Sequence, residues 1–267
     1  MRVFYLIALC FFVGCGGGVA TNSSSSIATT KTEQKTIEAP NFKSVKVVRK
    51  FPHNPSSYTQ GLLFADGKMY ESTGQYGDSK LMVVDINSGK VEKEVALSGD
   101  FFGEGLALLA GKLYQLTWME GKCFVYDANS LRKLETLSYS GEGWGLVAYG
   151  DELLMSDGTS QIKVIDPTTF RVKRSFDVED NRGKVRYLNE LEIIDGKLYA
   201  NIYCSDLIAV IDIQSGRVLE YLDCTKLVHQ IGNKPSADVI NGIAYDSLSQ
   251  KLYLTGKLWD TLFEVEF

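Results

Sequence analysis

Histidine is nearly absent from this chain: His53 and His229 are the whole supply in 267 residues. A catalytic zinc of the multi-histidine kind would need both, with carboxylates or thiols completing its shell, so zinc hydrolysis is set aside. No Lys/Arg block stands out among 28 basic and 33 acidic residues, and a net charge of −5 leaves no footprint for nucleic acid. No apolar run is long enough to cross a bilayer as a stable helix. Helical patterning is as scarce: LDCTKLVHQIG, residues 222–232, is the one candidate. Plentiful instead are 25 Gly, 14 Tyr and 13 Phe, in a chain long enough for one large domain or two small ones, each with a real core.

The first eighteen residues, MRVFYLIALCFFVGCGGG, put one Arg before a short apolar run that ends in small residues. This reads as an export signal, expected to be removed or anchored and to form no part of the fold. Phe12 to Cys15, FVGC, resembles the lipobox of bacterial lipoproteins, with Phe12 where Leu is usual. Cleavage after residue 14 with Cys15 as lipid anchor is expected, and an ordinary secretory signal with an incidental Cys15 is the alternative. Residues 19–40 are Ser/Thr-rich, lack aromatics and end at Pro40, so they cannot bury enough surface to offset their ordering entropy. The expected organisation is therefore a signal segment over 1–15, a flexible tether over 16–40 and a folded domain over 41–267. That domain is expected outside the cytoplasm, periplasmic or in the cell envelope, and at a membrane only through the lipid. Its Cys123, Cys204 and Cys224 allow at most one disulfide, and small buried residues are the favoured reading.

From Asn41 onward the pattern is β. VKVVRKF, KMYEST, KLMVVDI, KLYQLTW, CFVYD, ELLMSD, IKVID, KLYANIY, LIAVIDI, KLYLTG and LFEVEF are separated by turn residues. These runs repeat. Segments starting at Gln60, Glu104, Trp144, Asn189 and Asn241 are spaced 44, 40, 45 and 52 residues apart. Ten residues into the first four come Tyr70, Tyr114, Leu154 and Tyr199, with Tyr253 at twelve in the fifth. At 22 to 25 residues an acidic side chain closes a third strand: Asp85, Asp127, Asp166, Asp212 and Glu264. Several strands in each repeat of about 45 residues predict β-propeller blades. The fifth repeat stops at Phe267 without a fourth strand, while residues 43–51 supply a spare one at the start. An all-β, five-bladed propeller closed by pairing of the N-terminal strand with the last blade satisfies both ends.

In such a ring the five repeat starts converge on one mouth, flanked by Tyr58, Phe102 and Trp118. Gly follows four of the five, which lets backbones approach near the axis. A Gln, a Glu and two Asn are an odd choice for filler. Polar groups converging in a concave site indicate binding or catalysis, although satisfying one another's hydrogen bonds would be the structural alternative.

In order along residues 42–267 come FPHNPSSYTQGLLF, ESTGQYG, FFGEGLALL, GKLYQLTW, GEGWGL, MSDG, LNELE, YAN, NGIAYD and TGKLW. Together they resemble the plant and bacterial type of glutamine cyclotransferase. The resemblance implies a five-bladed propeller and a metal-independent, cofactor-free enzyme, an aminoacyltransferase that turns N-terminal Gln of peptides or proteins into pyroglutamate with loss of ammonia. It implies Glu104 as catalytic acid/base and contacts to substrate from Asn189 and Lys257. Gln60, Tyr58, Phe102, Trp118 and Trp144 would line the substrate pocket, with Asn241 at the fifth repeat start. Tyr203 stands where family members often carry Trp, which leaves one pocket wall different in shape.

The chemistry also follows from the residues. A neutral α-amine, of pKa about 7.7–8.0, must attack the side-chain carbonyl, and the amide nitrogen leaves only when protonated. One carboxylate between the two nitrogens can take the first proton and deliver the second, a role Glu104 suits. Asn189 and Lys257 are candidates to orient the amide and steady its oxyanion; Lys257 could equally keep Glu104 ionised. Tyr58, Phe102 and Trp118 could pack as core instead. Glu190 and Glu192, a conceivable calcium pair with Asn189, are set aside because strand alternation turns them away from it. A non-catalytic periplasmic peptide-binding propeller is the alternative function, and a monomer is expected.

Overall fold

In a computed structural model of the protein, described for residues 37–267 other than 232, 233 and 235, the Val-, Ile- and Tyr-rich runs are strands. Cys15, the signal segment and the tether up to residue 36 lie outside the described residues. The chain opens with β1 (Asn41–Ser44) and β2 (Lys46–Pro52). The first blade is β3 (Thr59–Ala65), β4 (Lys68–Thr73), β5 (Lys80–Val84) and β6 (Val91–Ala96). The second is β7 (Gly103–Leu109), β8 (Lys112–Thr117), β9 (Lys122–Asp127) and β10 (Lys133–Ser138). The third is β11 (Leu146–Tyr149), β12 (Glu152–Met155), β13 (Gln161–Ile165) and β14 (Val172–Asp177). A small ribbon, β15 (Glu179–Asp180) and β16 (Gly183–Lys184), precedes the fourth blade. That blade is β17 (Leu188–Ile194), β18 (Lys197–Ile202), β19 (Leu207–Ile211) and β20 (Val218–Asp223). A single turn of helix, α1 (Thr225–Val228), and a 3-10 turn fall in the one segment that sequence patterning marked as helical. The fifth blade is β21 (Ile240–Asp246), β22 (Lys251–Gly256) and β23 (Thr261–Glu266).

Innermost strands pack in a closed ring: β3 on β7, β7 on β11, β11 on β17, β17 on β21, and β21 back on β3. Burial follows position in the blade. TQGLLFA of β3 is buried along its first five residues, whereas VEKEVA of β6 and KLETLS of β10 are almost wholly exposed. Charged outer strands of this kind discourage edge-to-edge pairing with another chain. Between blades lie apolar clusters, such as Phe51, Leu62, Met69, Ala244, Tyr253 and Leu262 where the fifth blade meets the first. Each fully buried side chain of this size contributes roughly 1.5–3 kcal/mol.

Local chemistry sets the hairpins. Inner turns such as Asp66-Gly67, Ala110-Gly111 and Asp195-Gly196 have both residues at positive φ, the two-residue form that matches strand twist. In the first four repeats the acidic residue begins the outer turn. Asp85, Asp127, Asp166 and Asp212 each accept from the backbone N–H of the Ser or Thr three residues on, at 2.7–2.8 Å. Glu264 differs because no hairpin follows it: it lies within β23, paired with Tyr253 and with Arg49 of β2.

β2 is the fourth strand of the last blade, antiparallel to β23 from Lys46 opposite Glu266 to Pro52 opposite Thr261. The N-terminal segment does more than complete this blade, however. It breaks at buried Val45, and β1 adds a parallel fifth strand to the outer edge of the fourth blade, with Phe42 opposite Tyr221. One segment thus bridges the fourth and fifth blades.

His53 locks the end of β2. Its Nδ1 lies 2.7 Å from the Trp259 carbonyl and its Nε2 3.1 Å from Glu71 Oε1, while its own N–H donates to the Asp260 carbonyl. Burial alone would lower the imidazole pKa, but Glu71, the Trp259 carbonyl and Asp260 together raise it. A raised folded value contributes stability that is full below the unfolded pKa of about 6.5 and is lost as pH rises through the folded value. The excess stability of wild type over His53→Gln, measured by urea unfolding, is therefore expected to shrink as pH rises from 6 to 9. A pH-independent difference would refute this account.

Candidate active site

Four repeat-start residues sit in irregular register at the beginning of an innermost strand. The pairing slips between Thr59 and Gly61, Gly103 and Leu106, Leu188 and Leu191, and Ile240 and Ile243. Bulges of this kind re-aim a side chain out of strand alternation. Here they hold Gln60, Glu104 and Asn189 at the mouth and Asn241 directly behind Gln60. Trp144 precedes β11, held by its N–H to the Ser156 carbonyl.

Close backbone approach is what the following glycines allow. A Cβ on Gly105 would stand 2.5 Å from the Trp144 carbonyl oxygen, and one on Gly145 would stand 2.0 Å from that of Asn189. In the fourth blade this position is Glu190, which is 1% exposed and spans the channel. Its carboxylate accepts from the Ile243 N–H at 2.8 Å and the Leu62 N–H at 3.3 Å, so it ties three blades together. Glu192 accepts from the Ile193 N–H. Both carboxylates thus serve backbone groups, and among the described residues no cluster of His, Cys, Asp or Glu is placed to hold a metal ion.

A polar residue on the second strand, or just past its end, grips the next blade's start in several blades. Ser72 donates to the Glu104 carbonyl at 2.5 Å, Ser156 to the Asn189 carbonyl at 2.7 Å, and the Gly242 N–H to Asn201 Oδ1 at 3.0 Å. These residues belong to the ST, MS and YAN runs, where sequence reasoning assigned no role.

The mouth encloses a cavity of about 240 Å3 lined by Tyr58, Gln60, Gln75, Phe102, Glu104, Trp118, Trp144, Asn189, Tyr203 and Lys257. Nine of the ten side chains singled out from sequence are therefore together. Asn241 is not among them: it lies behind Gln60, donating to Gln60 Oε1 at 3.3 Å and to the Thr59 carbonyl at 2.9 Å. Gln60 in turn donates to Glu104 Oε1 at 2.8 Å. This relay fixes one carboxylate oxygen and leaves the other without a hydrogen bond among the described residues.

Glu104 is 4% exposed, and that burial pushes its pKa well up even though Lys257 pulls it down; Glu120 and Glu142 add to the rise. Lys257 is 3% exposed, with its ammonium 4.6 Å from the Tyr58 ring centre and 5.1 Å from that of Tyr203. Burial lowers its pKa against the attraction of Glu104 and Asp238. Carboxylate and ammonium thus act on each other through the cavity. Asn189 presents a buried Oδ1 with no partner among the described residues, an acceptor open to a donor from a bound molecule.

The aromatic wall is held by carboxylates that sequence reasoning missed. Glu142 Oε2 accepts from the indole N–H of Trp118 at 2.8 Å and of Trp144 at 2.9 Å, clamping two blades' tryptophans on one oxygen. Tyr58 donates to Asp238 at 3.2 Å, and burial with that carboxylate pushes its pKa up. Phe102 meets Tyr58, Tyr76 and Trp118 edge-on, with ring centres 5.4–6.1 Å apart. Tyr203 stacks edge-on against Trp144 at 5.7 Å. Only the Glu142-x-Trp144 spacing could have signalled the clamp from sequence. Cys123 and Cys224 are buried, Cys204 is exposed, and all three are free thiols.

A family model described as glutamine cyclotransferase matches residues 19–267. The chain is 41% identical over 226 residues to a glutaminyl-peptide cyclotransferase of Arabidopsis thaliana, across 83% of this chain and 71% of that protein. Its fold is similar to the crystal structure of Myxococcus xanthus glutaminyl cyclase at a TM-score of 0.80 and 35% identity, over 85% of this chain and 97% of that one. Sequence motifs and blade count agree with these matches: the chain belongs to the glutamine cyclotransferase family.

Proposed function

We propose that this protein is a metal-independent glutaminyl-peptide cyclotransferase, converting N-terminal Gln to pyroglutamate with release of ammonia. The observation that carries this reading is Glu104, a buried carboxylate in an aromatic cavity with one oxygen tied to Gln60 and the other open. At about 240 Å3 the cavity is smaller than the roughly 300–1,000 Å3 of sites for drug-sized ligands, a size suited to one residue.

In the proposed reaction the neutral α-amine attacks the side-chain carbonyl carbon, forming the C–N bond of a five-membered ring and an oxyanion. Glu104 takes a proton from the attacking nitrogen and passes it to the amide nitrogen. The C–N bond to that nitrogen then breaks, ammonia leaves and the carbonyl re-forms. Lys257 is positioned as a charge partner for the oxyanion, and Asn189 Oδ1 to accept from a substrate N–H. The rings of Trp144 and Phe102 hold the flexible side chain near its ring-closing conformer, which supplies part of the acceleration.

The test is to incubate the full chain with Gln-Ala amide plus a chelator and follow ammonia and product mass. Release unaffected by chelator is expected; abolition by chelator would overturn the metal-independent reading. A monomer acting outside the cytoplasm, tethered through Cys15, belongs to the same proposal and rests on the N-terminal sequence.

A further inference from the structure

Beside the cavity runs a larger groove of about 510 Å3, between the loop that follows β2 and the first blade. Gln75 lines both spaces. It is the one exposed residue in the cavity lining, and it interrupts the aromatic rim of Tyr58, Phe102, Trp118, Trp144 and Tyr203. Its backbone is held at φ 96°, with its carbonyl accepting from Ser79 Oγ at 2.7 Å and the Asp78 N–H at 3.1 Å. The polar gap in the rim is therefore fixed in place.

Beyond Gln75 the groove passes Ser57, Asp78, Lys80, Val91 and Glu94. Ser57 is 2% exposed, and its hydroxyl has no partner among the described residues, so the groove wall carries an unused hydrogen-bonding group. Lys80 and Glu94 pair at 3.3 Å and cancel. Asp78 is exposed and makes no ion pair among the described residues, which leaves the groove with one net negative charge.

We propose that this groove binds the second and third residues of the peptide whose first residue occupies the cavity, and that Asp78 favours Lys or Arg there. The inference rests on the cyclotransferase reading. The reacting residue fills a space suited to one residue, so its continuation must leave across the rim, and Gln75 is where the rim is low, polar and continuous with a second space.

The test compares kcat/KM for Gln-Ala amide with Gln-Ala-Ala-Ala, Gln-Ala-Lys-Ala and Gln-Ala-Glu-Ala amides. The neutral tetrapeptide is expected to exceed the dipeptide about tenfold, since contacts remote from the reacting bond raise kcat/KM. Lys at the third position is expected to exceed Glu about threefold, the scale of an exposed ion pair, and the preference should vanish in Asp78→Asn and in molar salt. Val91→Trp, at an exposed strand position, should fill the groove and erase the length gain, with an unchanged melting temperature showing that the fold is intact. Equal kcat/KM at both lengths in wild type would overturn the groove alone. Absence of ammonia from every peptide would overturn the cyclotransferase reading beneath it.

Discussion

Glu104→Gln is expected to lower kcat on Gln-peptides about a thousandfold while leaving the fold intact. The magnitude is that of a general acid/base acting on both nitrogens, which contributes about 10²–10⁴. Gln keeps the shape of Glu, and its amide oxygen can still accept from Gln60 Nε2, the contact that fixes the wild-type side chain at 2.8 Å. What is lost is the capacity to take up and return a proton. Stability should not fall, because burial already penalises the ionised carboxyl and holds its pKa up. Thermal melting at pH 8 should therefore place the variant at or above wild type. A variant that melts normally and retains more than about a tenth of wild-type kcat would show that proton transfer belongs to another group.

The blade count was legible because it depends on a period, and a period survives without any knowledge of packing. The outer-turn aspartates were legible for the same reason in four blades. In the fifth, Glu264 occupies the same register for a different cause, since β2 arrives from the far end of the chain and no turn follows β23. The two-blade attachment of β1 was not legible, because an edge strand that joins the sheet in parallel carries no alternation signal of its own.

The site was legible in its first layer and opaque in its second. Residues at the repeat starts converge in any propeller, so Gln60, Glu104, Trp144 and Asn189 were placed by counting. Asn241 was counted too, but the structure puts it one layer back, where it orients Gln60. Glu190 escaped because simple alternation turns it away from Asn189, whereas the register slip at that point sends its carboxylate across the channel instead. Glu142, Asp238 and Gln75 escaped because they lie in loops, where neither repeat nor alternation applies.

Lys257→Met is expected to move the acidic limb of the pH profile upward and, independently, to lower the rate plateau about a hundredfold. Wild-type kcat/KM should rise with pH, because Glu104 must be ionised and the α-amine, of pKa about 7.7–8.0, neutral. The ammonium is the group that pulls the Glu104 pKa down against burial, so its removal lets that value climb and shifts the limb to higher pH. Were this the only role of Lys257, raising the pH until Glu104 ionises again would restore the full rate. The ammonium also faces the cavity from between the rings of Tyr58 and Tyr203, where the oxyanion would form. Loss of one oxyanion donor costs about 10²–10³ in kcat, and no change in pH returns it. Met preserves the unbranched stem against the two tyrosines, so the comparison isolates the charge. A plateau within about threefold of wild type, with only the limb displaced, would reduce Lys257 to a device for keeping Glu104 ionised.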